Sequence, residues 1–306
     1  MIEIFKEYVM SNYQRTITYE PDSNEKLTLR ELLKKWLIPK KWQHFLRVEK
    51  QVTINGQYHP FNTVVNAKDV IHLNFDFPPR NDNQTYLPGK NELNIAYEDN
   101  DVLIVNKPAN IKSHPNLPTE SDSLMNDAES YLSPAGHPYM VHRIDMLTSG
   151  LVLISKTPYL VPIFNRQLTT KTLKREYLAV VKLLKPINQS GSINLPIGDD
   201  PSDVRKQRIS SDGLAALTDY KILRKNNDFA LIKLNLHTGR THQIRVHLAS
   251  QGWPIVNDVL YNREKPNGNM MLCAYKLTYQ IPFSNKFRTT EIEPPTFMTD
   301  FIQKKD

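Results

Sequence analysis

Three short clusters carry the residue types that could do chemistry. In the first, His142-Arg143-Ile144-Asp145 runs into Thr148-Ser149-Gly150 and then an apolar stretch. That order puts a carboxylate on a loop just ahead of a strand, where it is well placed to face a cleft. Taken alone, the same residues also fit a buried Arg143–Asp145 pair or a turn carboxylate. A protein-kinase catalytic loop is excluded, because Ile144 separates Arg143 from the Asp, residue 150 is Gly, and no glycine-rich phosphate loop precedes them. The second cluster, Thr238-Gly239-Arg240-Thr241-His242-Gln243-Ile244-Arg245-Val246-His247-Leu248, reads as a strand end, a cap and a helix. With Thr241 as the cap, one face presents Thr241, His242 and Arg245. His237, His242 and His247 recur every five residues and so fall on different helical faces, which argues against a metal site. The better use is an anion clamp: one arginine faces a carboxylate while other basic groups face phosphates. In the third cluster, Lys174-Arg175-Glu176-Tyr177-Leu178-Ala179-Val180, alternation predicts a strand. Tyr177 there is either a core aromatic or a cleft-edge ring that stacks on a nucleobase.

The elements that must hold these clusters follow from apolar patterning. Ile95–Tyr97, Asp101–Val105, Leu151–Ile154, Tyr177–Val181 and Phe229–Leu234 predict strands, and helical pieces fall near Ser121–Leu132, Leu160–Leu168 and Thr241–Ser250. Strands outnumber helices in irregular order, so the expected class is α+β with a mixed, largely antiparallel sheet over residues 91–306. Residues 77–90 are crowded with Pro, Asn and Gly and read as an extended, poorly packed linker. Ahead of it, Leu29, Leu32, Leu33 and Trp36 recur at helical spacing until Pro39, a second helix covers Lys41–Val48, and Val52-Thr53-Ile54 meets the turn Asn55-Gly56. A further strand follows at Val70–Leu73.

Charge and cysteine usage narrow the class. The chain has 306 residues and a formal charge of +7. Between 28 and 73 stand eight Lys or Arg against three Asp or Glu, so much of that surplus, Lys40, Lys41 and Arg47 included, sits in one short segment. A basic face of this kind suits RNA, although it also suits a docking domain. Cys273 is the single cysteine, so an internal disulfide and a cysteine metal cluster are excluded and a reducing cytoplasm is the default compartment. The first residues, Met1–Glu7, are acidic where a signal peptide would be basic, and no apolar run is long enough for a bilayer.

Residues 28–73 resemble the αL RNA-binding module through Val52-Thr53-Ile54-Asn55-Gly56 and Lys68-Asp69-Val70-Ile71, with Pro39-Lys40-Lys41 standing where the module usually has a Ser-Arg helix start. The rest of the chain resembles the RluA-type pseudouridine synthases, over about residues 91–300. Val105-Asn106-Lys107-Pro108-Ala109 with Ser113-His114-Pro115 is similar to their first motif, and His142 through Leu151 to their catalytic motif. Lys174–Ala179, Pro196-Ile197-Gly198, Ala216–Tyr220 and Thr238–Leu248 follow in the family's order. Departures include Ile144 for Leu, Met146-Leu147 for a charged pair, Asn257-Asp258 for Gly-Asp, and Leu272-Cys273-Ala274 for Leu-His-Ala.

This resemblance implies the pseudouridine synthase fold and isomerisation of uridine to pseudouridine, without cofactor or obligatory metal. The implied partner is structured RNA, of the large-subunit ribosomal type, with a monomer as the default and no membrane. It implies Asp145 as the nucleophile, Arg245 against its carboxylate at roughly 2.7–3.2 Å, as a charge-assisted contact requires, and Tyr177 against the base. Arg143, His142, Arg240 and His242, with Lys40, Lys41 and Arg47 of the small module, would contact RNA. Two alternatives stay open: a catalytically silent RNA-binding or ribosome-assembly factor, and a hydrolase using Asp145 with His142.

Overall fold

The computed structural model describes residues 13–21, 25–77 and 85–303. The first seven residues and half of the expected linker, 78–84, lie outside them. The chain divides into two compact units that do not follow chain order: 1–84 with 158–167 and 280–287, and 85–157 with 168–279 and 288–306.

In the smaller unit the elements are β1 (Tyr13–Thr18), β2 (Leu27–Thr28), α1 (Leu29–Lys35), α2 (Lys40–Val48), β3 (Val52–Ile54), β4 (Val64–Val65) and β5 (Val70–Phe75). Thr28 caps α1 reciprocally with Glu31: the Thr28 hydroxyl oxygen accepts from the Glu31 amide, and the Glu31 carboxylate accepts from the Thr28 amide at 2.9 Å. Leu29, Leu32 and Leu33 are buried as their spacing requires. Asn55 and Gly56 both take positive φ in a two-residue turn closed by Ile54 and Gln57. The strand that pairs with β3, however, is β5 and not the residues just after the turn. β1 completes a β1-β5-β3 sheet from outside the expected 28–73 boundary. The tail of this unit is aromatic: Phe77 packs on Trp42 at 5.4 Å and on Phe45 at 5.2 Å, and Tyr13 stacks on Tyr159.

The larger unit holds β6 (Ile95–Glu98), β7 (Val102–Lys107), α3 (Leu124–Leu132), β8 (Tyr139–Met140) and β9 (Ser149–Ser155). α4 (Val161–Thr169) falls mostly in the smaller unit, and after it the larger unit continues with β10 (Lys174–Lys182), β11 (Ser190–Asn194), β12 (Ile197–Asp199), β13 (Gln207–Ile209), β14 (Leu217–Lys225) and β15 (Phe229–Leu236). Then follow α5 (Gln243–Ser250), β16 (Leu272–Gln280), β17 (Phe287–Glu291) and α6 (Thr296–Gln303). One ten-stranded sheet runs β11-β14-β15-β10-β16-β9-β7-β6, with β17 beside β16 and β8 beside β9. The α+β, largely antiparallel expectation holds. The parallel pairing among the described strands is a two-residue seam, Cys273 with Ser149 and Ala274 with Gly150. At that seam Gly150 takes φ +113°, and a Cβ there would stand 2.3 Å from the Ala274 carbonyl oxygen, so the close approach requires glycine.

The linker expectation fails where the chain is described. Phe77 is packed as above, and at the other end Tyr86 is buried in the core of the larger unit, stacked on His137. The backbone of 87–89 is strapped to α3: Asn126 donates to the Leu87 carbonyl at 2.7 Å, and the Gly89 amide donates to the Asn126 carbonyl at 2.8 Å. Proline and glycine punctuate this segment, but Tyr86 and the bonds to Asn126 hold its described end.

Candidate active site

The loop before β9 carries Asp145, and its backbone is held nearly residue by residue. The Ser113 hydroxyl donates to the Ile144 carbonyl at 2.7 Å and accepts from the Ile144 amide at 3.2 Å. Lys107, fully buried, donates to the carbonyls of Pro108, Ile111 and Met146 at 2.8, 2.7 and 3.1 Å. Burial pushes the Lys107 ammonium down to about 7, while the charge of Asp145 pulls it back up. The Thr148 amide closes the loop onto the Asp145 carbonyl at 3.0 Å. The first sequence motif therefore acts as the mould for the second.

His142, expected among the RNA contacts, is placed elsewhere. Its ring is buried, and Nε2 accepts the Leu153 amide of β9 at 3.1 Å. Burial, with the nearby Arg175 charge, pushes it down to about 3. A buried ring whose Nε2 lone pair is already taken by a strand amide is not available as an RNA contact or as a hydrolytic base, so the hydrolase alternative loses its second group. It does have a titration consequence. The unfolded chain binds a proton near 6.5 that the native state refuses, so stability falls as pH drops from about 6.5 toward 3, by roughly 1.4 kcal/mol per pH unit for this one group. Urea melts at pH 6 and pH 4.5 check this: His142→Gln should lose that share of the acid slope, and an unchanged slope would refute it.

Asp145 opens into a cavity of about 130 Å³ whose lining includes Arg143, Arg175, Tyr177, Arg240, His242 and Arg245. Tyr177 comes from β10, at a bulge between Glu176 and Tyr177 in the pairing with β16, the kind of irregularity that re-aims a side chain. Burial pushes its phenol up, so at neutral pH it is a protonated ring. Arg245 comes from α5, which starts differently from expectation. Its N-cap is His242, held at φ +54°, and no side chain caps it. Gln243 closes the turn instead, its Oε1 accepting from the Thr238 hydroxyl at 2.7 Å and the Arg240 amide at 3.0 Å.

Asp145, Tyr177 and Arg245 thus converge from three distant segments. The expected contact is nevertheless longer than anticipated: Arg245 Nη1 lies 3.5 Å from Asp145 Oδ2. The reason is Asp258, which takes the guanidinium fork through Nε and Nη2, both at 2.8 Å. Burial lowers the Arg245 pKa, but Asp258 and then Asp145 outweigh it, so the net shift is upward. Asp258 also accepts the Leu260 and Tyr261 amides at 2.9 and 3.2 Å, which fixes the fork's partner in turn. Arg245 is therefore aimed at Asp145 rather than consumed by it. Asp258 is visible in the sequence as part of Asn257-Asp258, but a lone carboxylate in a loop has no periodic signature.

The remaining expected contacts separate. Arg143 is exposed and donates to His114 Nε2 at 2.8 Å, a lone pair made available because Nδ1 faces the Pro115 carbonyl at 2.8 Å. Arg240 and Arg175 form a cationic rim: Arg240 is bonded to the Ala215 carbonyl at 3.1 Å, and a Cβ on Gly239 would stand 3.2 Å from the Arg175 guanidinium. Arg175 lines the cavity, a role that strand alternation alone does not reveal. Lys40, Lys41 and Arg47 are exposed along α2 in the smaller unit.

Known proteins resemble this chain. Residues 101–250 match the RNA pseudouridylate synthase family, and residues 16–71 match the N-terminal domain of the RluD ribosomal pseudouridine synthase. The uncharacterized RNA pseudouridine synthase YhcT of Bacillus subtilis is 34% identical over 244 residues, 76% of this chain and 80% of that protein. The ribosomal large subunit pseudouridine synthase D of Nitrosomonas europaea is 33% identical over 224 residues, 69% of this chain and 64% of that protein. Among solved structures, human RNA pseudouridylate synthase domain containing 1 superposes with a TM-score of 0.57 at 25% identity, over 68% of this chain and 86% of that one. A third of its residues shared across three quarters of its length, on the same fold, makes this chain a member of the RNA pseudouridylate synthase family.

Proposed function

We propose that the cavity receives a uridine extruded from structured RNA and that Asp145, as nucleophile, begins its isomerisation to pseudouridine. The observation that carries this is the composition of the wall: among its described lining residues Asp145 is the one carboxylate, set among Arg143, Arg175, Arg240 and Arg245. Glycosidic hydrolysis works with two carboxylates flanking the bond, and Asp258 is occupied by its fork with Arg245. An isomerase needs one. The Asp145 carboxylate attacks C1′ as the N1–C1′ bond breaks, uracil turns within the cavity, C5 bonds to C1′ as the aspartyl ester breaks, and the C5 proton leaves as N1 gains one. No atom is lost. The base must leave its stack for protein groups to reach it; the arginine rim supports this by holding the flanking phosphates, and the protonated ring of Tyr177 lies on the flipped base.

Ribosomal RNA of the large subunit is the proposed substrate class, supported by the matching N-terminal domain and by relatives named for that activity. Mapping pseudouridines in total RNA from cells with and without this gene tests it. Loss of a site in large-subunit ribosomal RNA is expected; loss confined to transfer RNA would overturn the substrate, and no loss anywhere would favour a silent binding factor.

The smaller unit is proposed to hold RNA through α2. Lys40→Glu with Lys41→Glu should weaken binding and lower the slope of log affinity against log salt by roughly one for each phosphate no longer neutralised. Filter binding across a salt series measures it, and an unchanged slope would make this unit a docking domain.

A further inference from the structure

His242 faces two ways. Its Nε2 points at Asp145 Oδ2, 3.9 Å away, and its Nδ1 lies 2.9 Å from the Tyr261 hydroxyl oxygen. That oxygen already accepts the backbone N–H of Gln207, on β13, at 2.8 Å. The Tyr261 ring also lies against the Arg245 guanidinium, 5.0 Å from its centroid. Asp145 therefore has two nitrogen groups before it, Arg245 at 3.5 Å and His242, and one phenol touches both.

We infer that Tyr261 is a positioning residue: it fixes the proton of His242 on Nε2 and so turns His242 into the second donor to the Asp145 carboxylate. The inference rests on Asp145 as the reacting group. The proton count carries it. A phenol has one proton and here already receives one N–H. If Nδ1 also donated to it, the phenol proton would lack an acceptor and the Nε2 lone pair would face a carboxylate, two losses at once. With the phenol donating to Nδ1, both are removed, and Nε2–H faces Asp145.

The surroundings keep the ring neutral and in place. Burial pushes the His242 pKa down, Asp145 and Asp258 oppose this, and Arg245 and Arg143 add to it. The ring is carried on a left-handed backbone, φ +54°, which a non-glycine residue adopts only at a cost. A strained residue holding one ring nitrogen toward the nucleophile is the pattern of a site organised before substrate arrives. Separations of 3.5 and 3.9 Å are the loose distances that substrate binding tightens.

Tyr261→Phe isolates the hydroxyl, because the ring and its place against Arg245 remain. In protein labelled with nitrogen-15 at histidine, the wild-type spectrum should show His242 protonated on Nε2 and bare on Nδ1. In Tyr261→Phe the Nδ1-protonated form should appear, and single-turnover pseudouridine formation should slow by about 10- to 100-fold, the loss of one hydrogen bond to a charged group. His242→Gln, which keeps an amide N–H near the Nε2 position, should retain more activity than His242→Ala. A wild-type ring protonated on Nδ1, or a Tyr261→Phe protein with unchanged rate, would overturn the inference. Should Asp145→Asn still make pseudouridine, the Asp145 reading would fall instead, while the spectrum tests Tyr261 by itself.

Discussion

Asp145→Asn should stop pseudouridine formation, lowering the single-turnover rate by at least about 10⁴-fold, and should leave RNA binding intact. The size of the effect follows from the chemistry assigned to the side chain. An amide occupies nearly the same volume and keeps the loop's backbone bonds, which run through the backbone of residues 144, 145 and 146 rather than through the carboxylate. What disappears is the charge and the oxygen proposed as nucleophile. The cationic rim is untouched, so gel-shift affinity for a structured RNA should stay within about threefold of wild type, a change of well under 1 kcal/mol. Liquid-chromatographic nucleoside analysis of the product RNA gives the rate. Retained turnover would end the proposal, and abolished binding would show that the carboxylate holds RNA rather than reacting with it.

Asp258→Ala should be the most damaging change to stability near the site. Both Asp258 and Arg245 are buried, and removing the acid leaves a guanidinium inside the protein with its fork empty. Breaking a buried pair from one side costs about 3–5 kcal/mol, which for a unit of this size lowers the melting temperature by roughly 10 °C. The Leu260 and Tyr261 amides are deprived of their acceptor as well. Calorimetry reads the result directly, and a melting temperature within about 2 °C of wild type would show that Arg245 finds another partner. The natural replacement partner is Asp145, so any surviving protein should also be slow.

How far the sequence reveals this molecule depends on the range over which each feature is written. The strands that carry the site are legible because runs such as Leu151–Ile154 and Phe229–Leu234 are apolar and end at turn residues. Asp145, Tyr177 and Arg245 are legible through ordered motifs. β1 is harder to see: Tyr13–Thr18 alternates, but Gln14, Arg15 and Thr16 offer little apolar contrast. Contacts without local pattern are not legible at all. Nothing in Asn257-Asp258 indicates that it takes the fork of an arginine thirteen residues earlier, and nothing in Lys107 indicates three carbonyl acceptors, one of them on residue 146. Tyr86 misleads for the opposite reason, since the residues around it punctuate the chain as a linker does.

The two-residue parallel seam has a consequence for how activity arises during folding. Asp145 precedes β9 on one side of that seam, while Tyr177, Arg245 and Asp258 belong to the chain on the other. Hairpins such as β6–β7 and β14–β15 close from neighbouring residues, but Gly150 and Ala274 meet only across 124 positions of sequence, a long loop to close and a slow one. The proposed nucleophile and its partners are therefore strangers until that long-range contact forms, and a refolding chain should regain its hairpins well before it regains turnover.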